Sequence, residues 1–489
     1  MRRPIFAFAN PLHRTGTRSS LSGMGNISWD RARSVGCRVV GCVATMATVV
    51  GVGVAWSTSA PMPASATPNT TDAFFDVPWD LESVEPGAIL RWRPIEAVAL
   101  QLVPMRVHAW QLLYRTTAAD GSPYAAVTTV LAAGEAPPRA VLSYDSMIDA
   151  IAPECMPSTV LRGGAPWLSF DGQGGPVALS TTASESAMIA AGLRQGWAVS
   201  VPDLGGLRNN FLSPREPGFA ALDGIRAVRN FTELGPIDAN VPATLWGYSG
   251  GGIATAWAAE VQPWYAPEIP IAGMAIGAPV ADFAAALRNG NNSPVSGLVA
   301  VGLAGLRQDS PELAAKLDGW LTDSGRAMMT QAALNCTPQN LLSFGFRDFG
   351  GDLGRSVDDL LADPLVAALL AERALGTAAP TAPLYIYNSV DDELSTIGSL
   401  DALVDRYCRS GTAVTYRRDT TPSTVSAHTF GWGTGAPAAF AWLTERVARQ
   451  DRPAGCDTQT GPTIATPEAL TALGEDFVGG VAAAIAGPR

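Results

Sequence analysis

From about Arg106 onward, the apolar residues of this chain alternate between strand-like and helix-like spacing. VHAWQLLYRTT (Val107 to Thr117) and YAAVTTVLAAG (Tyr124 to Gly134) flank the turn AADGSP and predict a β-hairpin. The short apolar runs AVLSY (Ala140 to Tyr144) and WAVSVPDL (Trp197 to Leu204) predict buried strands. Between them SESAMIAAGLRQG has helical spacing and a glycine stop. GFAALDGIRAVRNF predicts the next helix, ATLWGYS a strand, and GGIATAWAAEVQ another helix. IAGMAIGAP and PLYIYNSV supply later strands. Strands alternating with helices predict an α/β fold around a mainly parallel sheet.

The alternation breaks between Val280 and Ala379. That stretch is helical in pattern (SGLVAVGLAGL, SPELAAKLDGWL, VDDLLADPLVAALLAERAL), with Gly- and Asn-rich joints such as RNGNNSP. It offers no strong strand and reads as a helical cap inserted between two core strands. The expected organisation is a leader at 1–66, a core in two parts (67–279 and 380–456) around a cap at 280–379, and a C-terminal linker and helix at 457–489.

Charge and cysteine usage add a compartment. Without its first 66 residues, which hold seven Arg and one Asp, the chain sets 26 basic residues against 43 acidic ones. That is a net charge of −17, against −11 for the whole chain. A body this acidic repels nucleic acid and anionic membrane surfaces, so no nucleic-acid partner is expected. The N-terminus runs from Arg-dotted polar sequence through an uncharged apolar run, Val39 to Trp56, to Ala64-Ser65-Ala66. That order predicts a secretory signal cleaved near Ala66, with Met1 or Met24 as its start. The apolar run is also nearly long enough to span a bilayer, so a membrane anchor is the alternative. Cys37 and Cys42 fall in the leader. Cys155, Cys336, Cys408 and Cys456 remain, an even number that favours two disulfides in an exported protein and leaves three pairings open. Their spacing is not that of a zinc site, and no metal is expected.

The chemistry concentrates in LWGYSGGGIATAW. Gly247-Tyr248-Ser249-Gly250-Gly251 fits G-x-S-x-G between a predicted strand and a predicted helix. This is the setting of a nucleophile elbow, in which small neighbours let a sharp turn lift the serine above the sheet. A serine nucleophile needs a base, and the chain has only three histidines. His13 lies in the leader, and His108 precedes the serine and reads as structural. His428, in the Gly-rich segment TVSAHTFGWGTGAP ahead of a helix, is left as the base. The acid is expected after a strand between the two, where Asp391, Asp392 and Glu393 follow PLYIYNSV. Position alone does not choose among them. Gly250 is expected to supply one oxyanion N–H, and the loop DSMIDAIAPECMPS after Tyr144 the other.

Taken in order, YDSMIDAIAPECMPS, VPDLGGLRNNF, LDGIRAVRNF, GYSGGG, DDELST and YCRSGTAVTYRR…SAHTF…TGAPAAFAWLTERV make the chain resemble the secretory lipases of the α/β-hydrolase superfamily, of the yeast lipase A type. The likeness runs from about Trp110 to Cys456. It implies an α/β-hydrolase fold with a mainly parallel central sheet and an inserted, mostly helical cap. It selects Asp392 as the catalytic acid, with Glu393 as its neighbour, and Asp149 as the second oxyanion donor. It also implies the disulfides Cys155–Cys336 and Cys408–Cys456, the second closing a loop that contains His428. The family often has a proline soon after the Asp-Glu pair, where this chain has Ser395-Thr396.

The sequence thus reads as an exported serine hydrolase of carboxylic esters, acting on triacylglycerol or other lipid esters through Ser249, His428 and Asp392. The expected reaction needs no cofactor, the partner is a lipid or other ester substrate, and contact with a lipid interface is transient. Alternatives are an acyltransferase using the same acyl-enzyme, an exopeptidase, and a non-catalytic envelope binding protein on the same scaffold.

Overall fold

The computed structural model describes residues 72–77, 80–164, 179–448 and 455–487. The leader expected at 1–66, with its apolar run and Ala64-Ser65-Ala66, lies outside the described residues, as do His13, Cys37 and Cys42.

One sheet organises the molecule. Its strands are β1 (Ile89–Pro94), β2 (His108–Thr117), β3 (Pro123–Ala132), β4 (Val141–Asp145), β5 (Ala198–Pro202), β6 (Ala243–Tyr248), β7 (Ile271–Gly277), β8 (Leu384–Ser389), β9 (Val414–Asp419) and β10 (Cys456–Gly461). Their spatial order is β1-β2-β3-β5-β4-β6-β7-β8-β9-β10. β1, β2 and β3 form an antiparallel meander that joins β5 antiparallel. Every pair from β5/β4 to β9/β10 is parallel. β4, β5, β6 and β8 are buried at every position, because helices cover both faces of a parallel sheet. That is why they appear in sequence as short unbroken apolar runs.

Numbering helices of eight residues or more, the chain forms α1 (Ser186–Arg194), α2 (Glu216–Asn230), α3 (Gly250–Tyr265), α4 (Phe283–Gly290), α5 (Ser296–Asp309), α6 (Pro311–Trp320), α7 (Asp323–Leu334), α8 (Thr337–Phe344), α9 (Pro364–Glu372), α10 (Ile397–Arg409), α11 (Ala427–Val447) and α12 (Gly479–Ala486). Successive strand residues point to opposite faces. Leu245 packs with Phe219 of α2 and Ile253 of α3 in one core, and Trp246 with Ile189 of α1 and Phe440 of α11 in the other. The chain runs from β4 outward to β5, then returns past β4 to β6. This reversal opens a crevice at the carboxyl ends of β4 and β6, where open α/β sheets bind ligands.

Helices α4 to α9 lie between β7 and β8. Their starts carry sequence signals: Asp282, Ser310, Thr322 and Asp363 each accept a hydrogen bond from the first turn, and Pro311 and Pro364 open their helices. Buried cap residues such as Leu313, Leu317 and Met328 belong to the same apolar cluster as α2 and α3, so the cap is continuous with one core. Where the chain leaves the cap, the N–H groups of Gly376, Thr377 and Ala378 donate to the buried Glu260 of α3 at 2.6, 3.0 and 3.1 Å. The two disulfides are Cys155–Cys336, 181 residues apart, and Cys408–Cys456, 48 apart. In a chain-entropy account the shorter loop alone contributes about 4 kcal/mol by restricting the unfolded chain.

One expectation is corrected. The segment after Cys456 is not a linker. Cys456–Gly461 pairs parallel with β9 as the edge strand β10. Its residues, Cys-Asp-Thr-Gln-Thr-Gly, are mostly exposed and polar. Backbone pairing and a disulfide at its first residue hold it, so it carries no apolar signature.

Candidate active site

The site is built where β6 gives way to α3. Ser249 sits between them with φ 53° and ψ −118°, a conformation that costs energy for a residue with a side chain. Its N–H donates to Gly277 O at 2.9 Å, which fixes the turn to the end of β7. Two glycines make the turn possible. A Cβ on Gly247 would stand 2.1 Å from Gly251 O, and one on Gly251 would stand 1.8 Å from Asp145 O. Both distances are far inside van der Waals contact, so any side chain would push the helix off the strand.

Ser249 Oγ lies 2.7 Å from His428 Nε2. On the other side of the ring, Nδ1 lies 3.0 and 2.9 Å from the two carboxylate oxygens of Asp392. All three residues are at most 5% exposed. Asp392 Oδ1 also accepts the N–H groups of Leu394 and Ser395 at 2.9 and 2.7 Å, so the carboxylate is aimed by its own loop. Glu393 does a separate job. Its carboxylate accepts the Ser426 hydroxyl and the N–H groups of Ala427 and His428, both at 3.1 Å. It thereby caps the first turn of α11, the turn that carries His428, and places negative charge at a helix N-terminus. Tyr248 donates its hydroxyl to His428 O at 2.7 Å, tying the elbow to the same turn. Of the three adjacent acids, Asp391 alone is exposed.

A family model described as secretory lipase matches residues 173–455. The chain belongs to this family. It is a carboxylic ester hydrolase with the α/β-hydrolase fold. It is 39% identical over 399 residues to a protein of Mycobacterium tuberculosis described as a probable inactive lipase, covering 81% of this chain and 86% of the relative. It is 35% identical over 416 residues to lipase A of Arthroderma benhamiae, covering 84% and 87%. In fold it is similar to Candida antarctica lipase A, with a TM-score of 0.72 at 24% identity over 86% of this chain and 95% of that one.

In this secretory lipase, Asp149 follows β4 in the loop facing the elbow. Its Oδ1 lies only 2.1 Å from where a Cβ on Gly250 would be, so the carboxyl rests directly against the first residue of α3. Asp149 has φ 40° and is 6% exposed. Burial pushes its carboxyl up to about 6, against the attraction of His428. Behind the loop, Glu185 accepts from Tyr144 Oη at 2.8 Å, from Ser146 Oγ, and from Met147 N at 3.3 Å; burial raises it to about 7. Beneath the elbow, Asp145 accepts from Ser143 and Thr255, each at 2.7 Å, and burial again prevails, to about 7. His428 experiences opposing effects. Burial works against its cation, but Asp392, by charge and hydrogen bond, with Glu393 and Asp149 beyond it, holds its pKa above the ordinary 6.5.

A cavity with about 530 Å³ of empty space opens beside Ser249, Gly250 and Asp149. Phe283, Leu287, Leu298, Leu306 and Leu370 of the cap line it with Leu394. On α5, Gly302 faces this space. His108, on β2, stacks on Trp110 at 5.9 Å. Sequence reasoning left Glu393 and Glu185 without roles; each accepts from hydroxyls and backbone N–H groups of other elements, which no motif marks.

Proposed function

We propose that this secretory lipase hydrolyses lipid esters, triacylglycerol among them, through an acyl-enzyme on Ser249. The observation that carries the reading is the continuous chain from Ser249 Oγ through His428 to Asp392, at 2.7 and 2.9 Å. His428 takes the serine proton as Oγ attacks the ester carbonyl, and Asp392 holds the imidazole in the required tautomer and stabilises the imidazolium. The N–H groups of Gly250 and Asp149 receive the oxyanion; neither has an acceptor among the described residues. His428 then gives its proton to the leaving alcohol, and water, activated by the same base, releases the acid. The substrate class follows from the apolar cavity and from lipase relatives. The leader fits export with cleavage near Ala66.

The reading is tested by turnover of p-nitrophenyl esters from acetate to palmitate, by the protein and by Ser249→Ala. Esters of every length left intact by the folded protein would refute it. Added acceptor alcohol separates hydrolysis from acyl transfer by its products.

The pH profile follows from the histidine. His428 must be neutral to accept a proton, and its pKa is raised, so kcat/KM falls as pH drops through a value above 6.5. Asp149 contributes to that rise, so Asp149→Asn moves the acid limb downward. A profile of unchanged midpoint would remove Asp149 from the electrostatics of the base.

Chain length follows from Gly302. A Cβ there meets its nearest neighbour, Leu212 Cδ1, at 3.6 Å, ordinary contact, so a side chain can enter. Gly302→Phe fills the cavity. It is expected to lower kcat/KM for the palmitate ester by about tenfold or more while sparing the acetate. Equal losses on both would place the acyl chain elsewhere.

A further inference from the structure

Among the described residues, the loop after β4 leaves several backbone donors unused, and the N–H of Asp149, the residue resting against Gly250, is one of them. Thr181 Oγ1 donates to Met147 O, and Met147 N donates to Glu185 Oε1 at 3.3 Å. Ile148 N donates to Ser146 O at 2.9 Å. The next two carbonyls are met from the cap. Thr337, the first residue of α8, donates its hydroxyl to Ile148 O and lies 3.0 Å from Asp149 O. The N–H of Asp149, like those of Ala150, Ile151 and Ala152, has no acceptor among the described residues, and Asp149 is the one of these that lies against Gly250. A buried donor left open is a group reserved for a ligand or water.

We propose that Thr337 is a positioning residue for the oxyanion hole. Its hydroxyl anchors the peptide that joins Ile148 to Asp149, and so aims the Asp149 N–H at the reacting carbonyl. The proposal rests on the reading of Asp149 as an oxyanion donor. Its physical basis is the planarity of that peptide. In a trans peptide the C=O and the N–H point in opposite directions, so fixing Ile148 O from the cap side turns the Asp149 N–H toward the elbow. Asp149 already lies against Gly250, the source of the other N–H. A residue at φ 40° does not hold that conformation unaided, and an external anchor is what such backbone requires. Thr337 is itself immobilised. It is 3% exposed and follows Cys336, whose disulfide returns to Cys155, further along the same loop. The cap is therefore part of the catalytic apparatus as well as the wall of the acyl cavity.

The test removes the hydroxyl and keeps the shape. Thr337→Val is expected to lower kcat about 10- to 100-fold, less than or equal to the loss of a whole oxyanion donor, with KM within about twofold of the parent. Affinity for an alkyl boronic acid, which mimics the tetrahedral intermediate on Ser249, should fall by the same factor as kcat. Thr337→Ser keeps the hydroxyl and should restore both. If Thr337→Val does not fold, Thr337→Ala carries the same expectation. Parent-like kcat and boronate affinity in the hydroxyl-free variant would overturn the proposal. So would equal losses in the Val and Ser variants that track a drop in Tm. Ester turnover that survives Ser249→Ala would refute the triad itself and this proposal with it, a result no Thr337 variant can imitate.

Discussion

Ser249→Ala is expected to lower kcat for ester hydrolysis by about 10⁵- to 10⁶-fold while leaving the fold intact. The size follows from what the serine does. Without Oγ no acyl-enzyme forms, and the oxyanion donors and base act on water alone, a residual catalysis far below the enzyme's own. The fold is spared because the hydroxyl's hydrogen-bond partner is the imidazole; the strained turn is held by Ser249 N to Gly277 O and by the contacts of Gly247 and Gly251. Alanine meets the same φ of 53° with no larger side chain. KM is expected to stay within about threefold, because the walls of the apolar cavity proposed for the acyl chain are untouched. A variant that keeps even a hundredth of the parent rate would show that another group supplies the nucleophile.

The second large effect belongs to Asp392. Asp392→Asn should cost about 10⁴-fold in kcat, because an amide presents an N–H to the imidazole and reverses its tautomer. Nε2 would then carry the proton and could not take another from Ser249. The same substitution removes the largest influence that raises His428, so any remaining activity should show an acid limb at lower pH than the parent. The neighbouring acids provide the contrast. Asp391 is exposed, and the imidazole is held by Asp392, so Asp391→Asn should leave kcat within about twofold. Glu393→Gln should fall between, since it still reaches the first turn of α11 but loses the charge that favours it. A rank order other than Asp392, Glu393, Asp391 would reassign the acid.

Much of this was legible in the sequence for identifiable reasons. The central strands announced themselves because burial on both faces selects unbroken apolar residues, as in Ala243–Tyr248 and Leu384–Ser389. The elbow was legible because its geometry excludes side chains at two positions. His428 emerged by elimination, since only three histidines exist. What stayed hidden has physical causes too. β10 is polar and exposed, held through backbone pairing that leaves no mark on residue type. The histidine was expected in a loop ahead of a helix, yet it is the second residue of α11. Three glycines and Pro437 near the start of that helix read as punctuation, whereas Gly431 is there because a Cβ would stand 2.4 Å from Tyr248 Oη. The choice of Asp392 over its neighbours rests on family resemblance; in the structure Asp392 meets the imidazole and Glu393 meets the helix start. Thr337 could not be read at all, being distant in sequence from the loop it braces.

The central claim is that Ser249, activated by His428, becomes acylated. The most direct measurement is stoichiometric labelling with a fluorophosphonate, followed by peptide mapping. The account predicts a single label per chain, on Ser249, with concurrent loss of ester turnover, no label on Ser249→Ala, and greatly slowed labelling of His428→Ala. A folded protein that hydrolyses esters yet takes no label, or takes it on another residue, would contradict it.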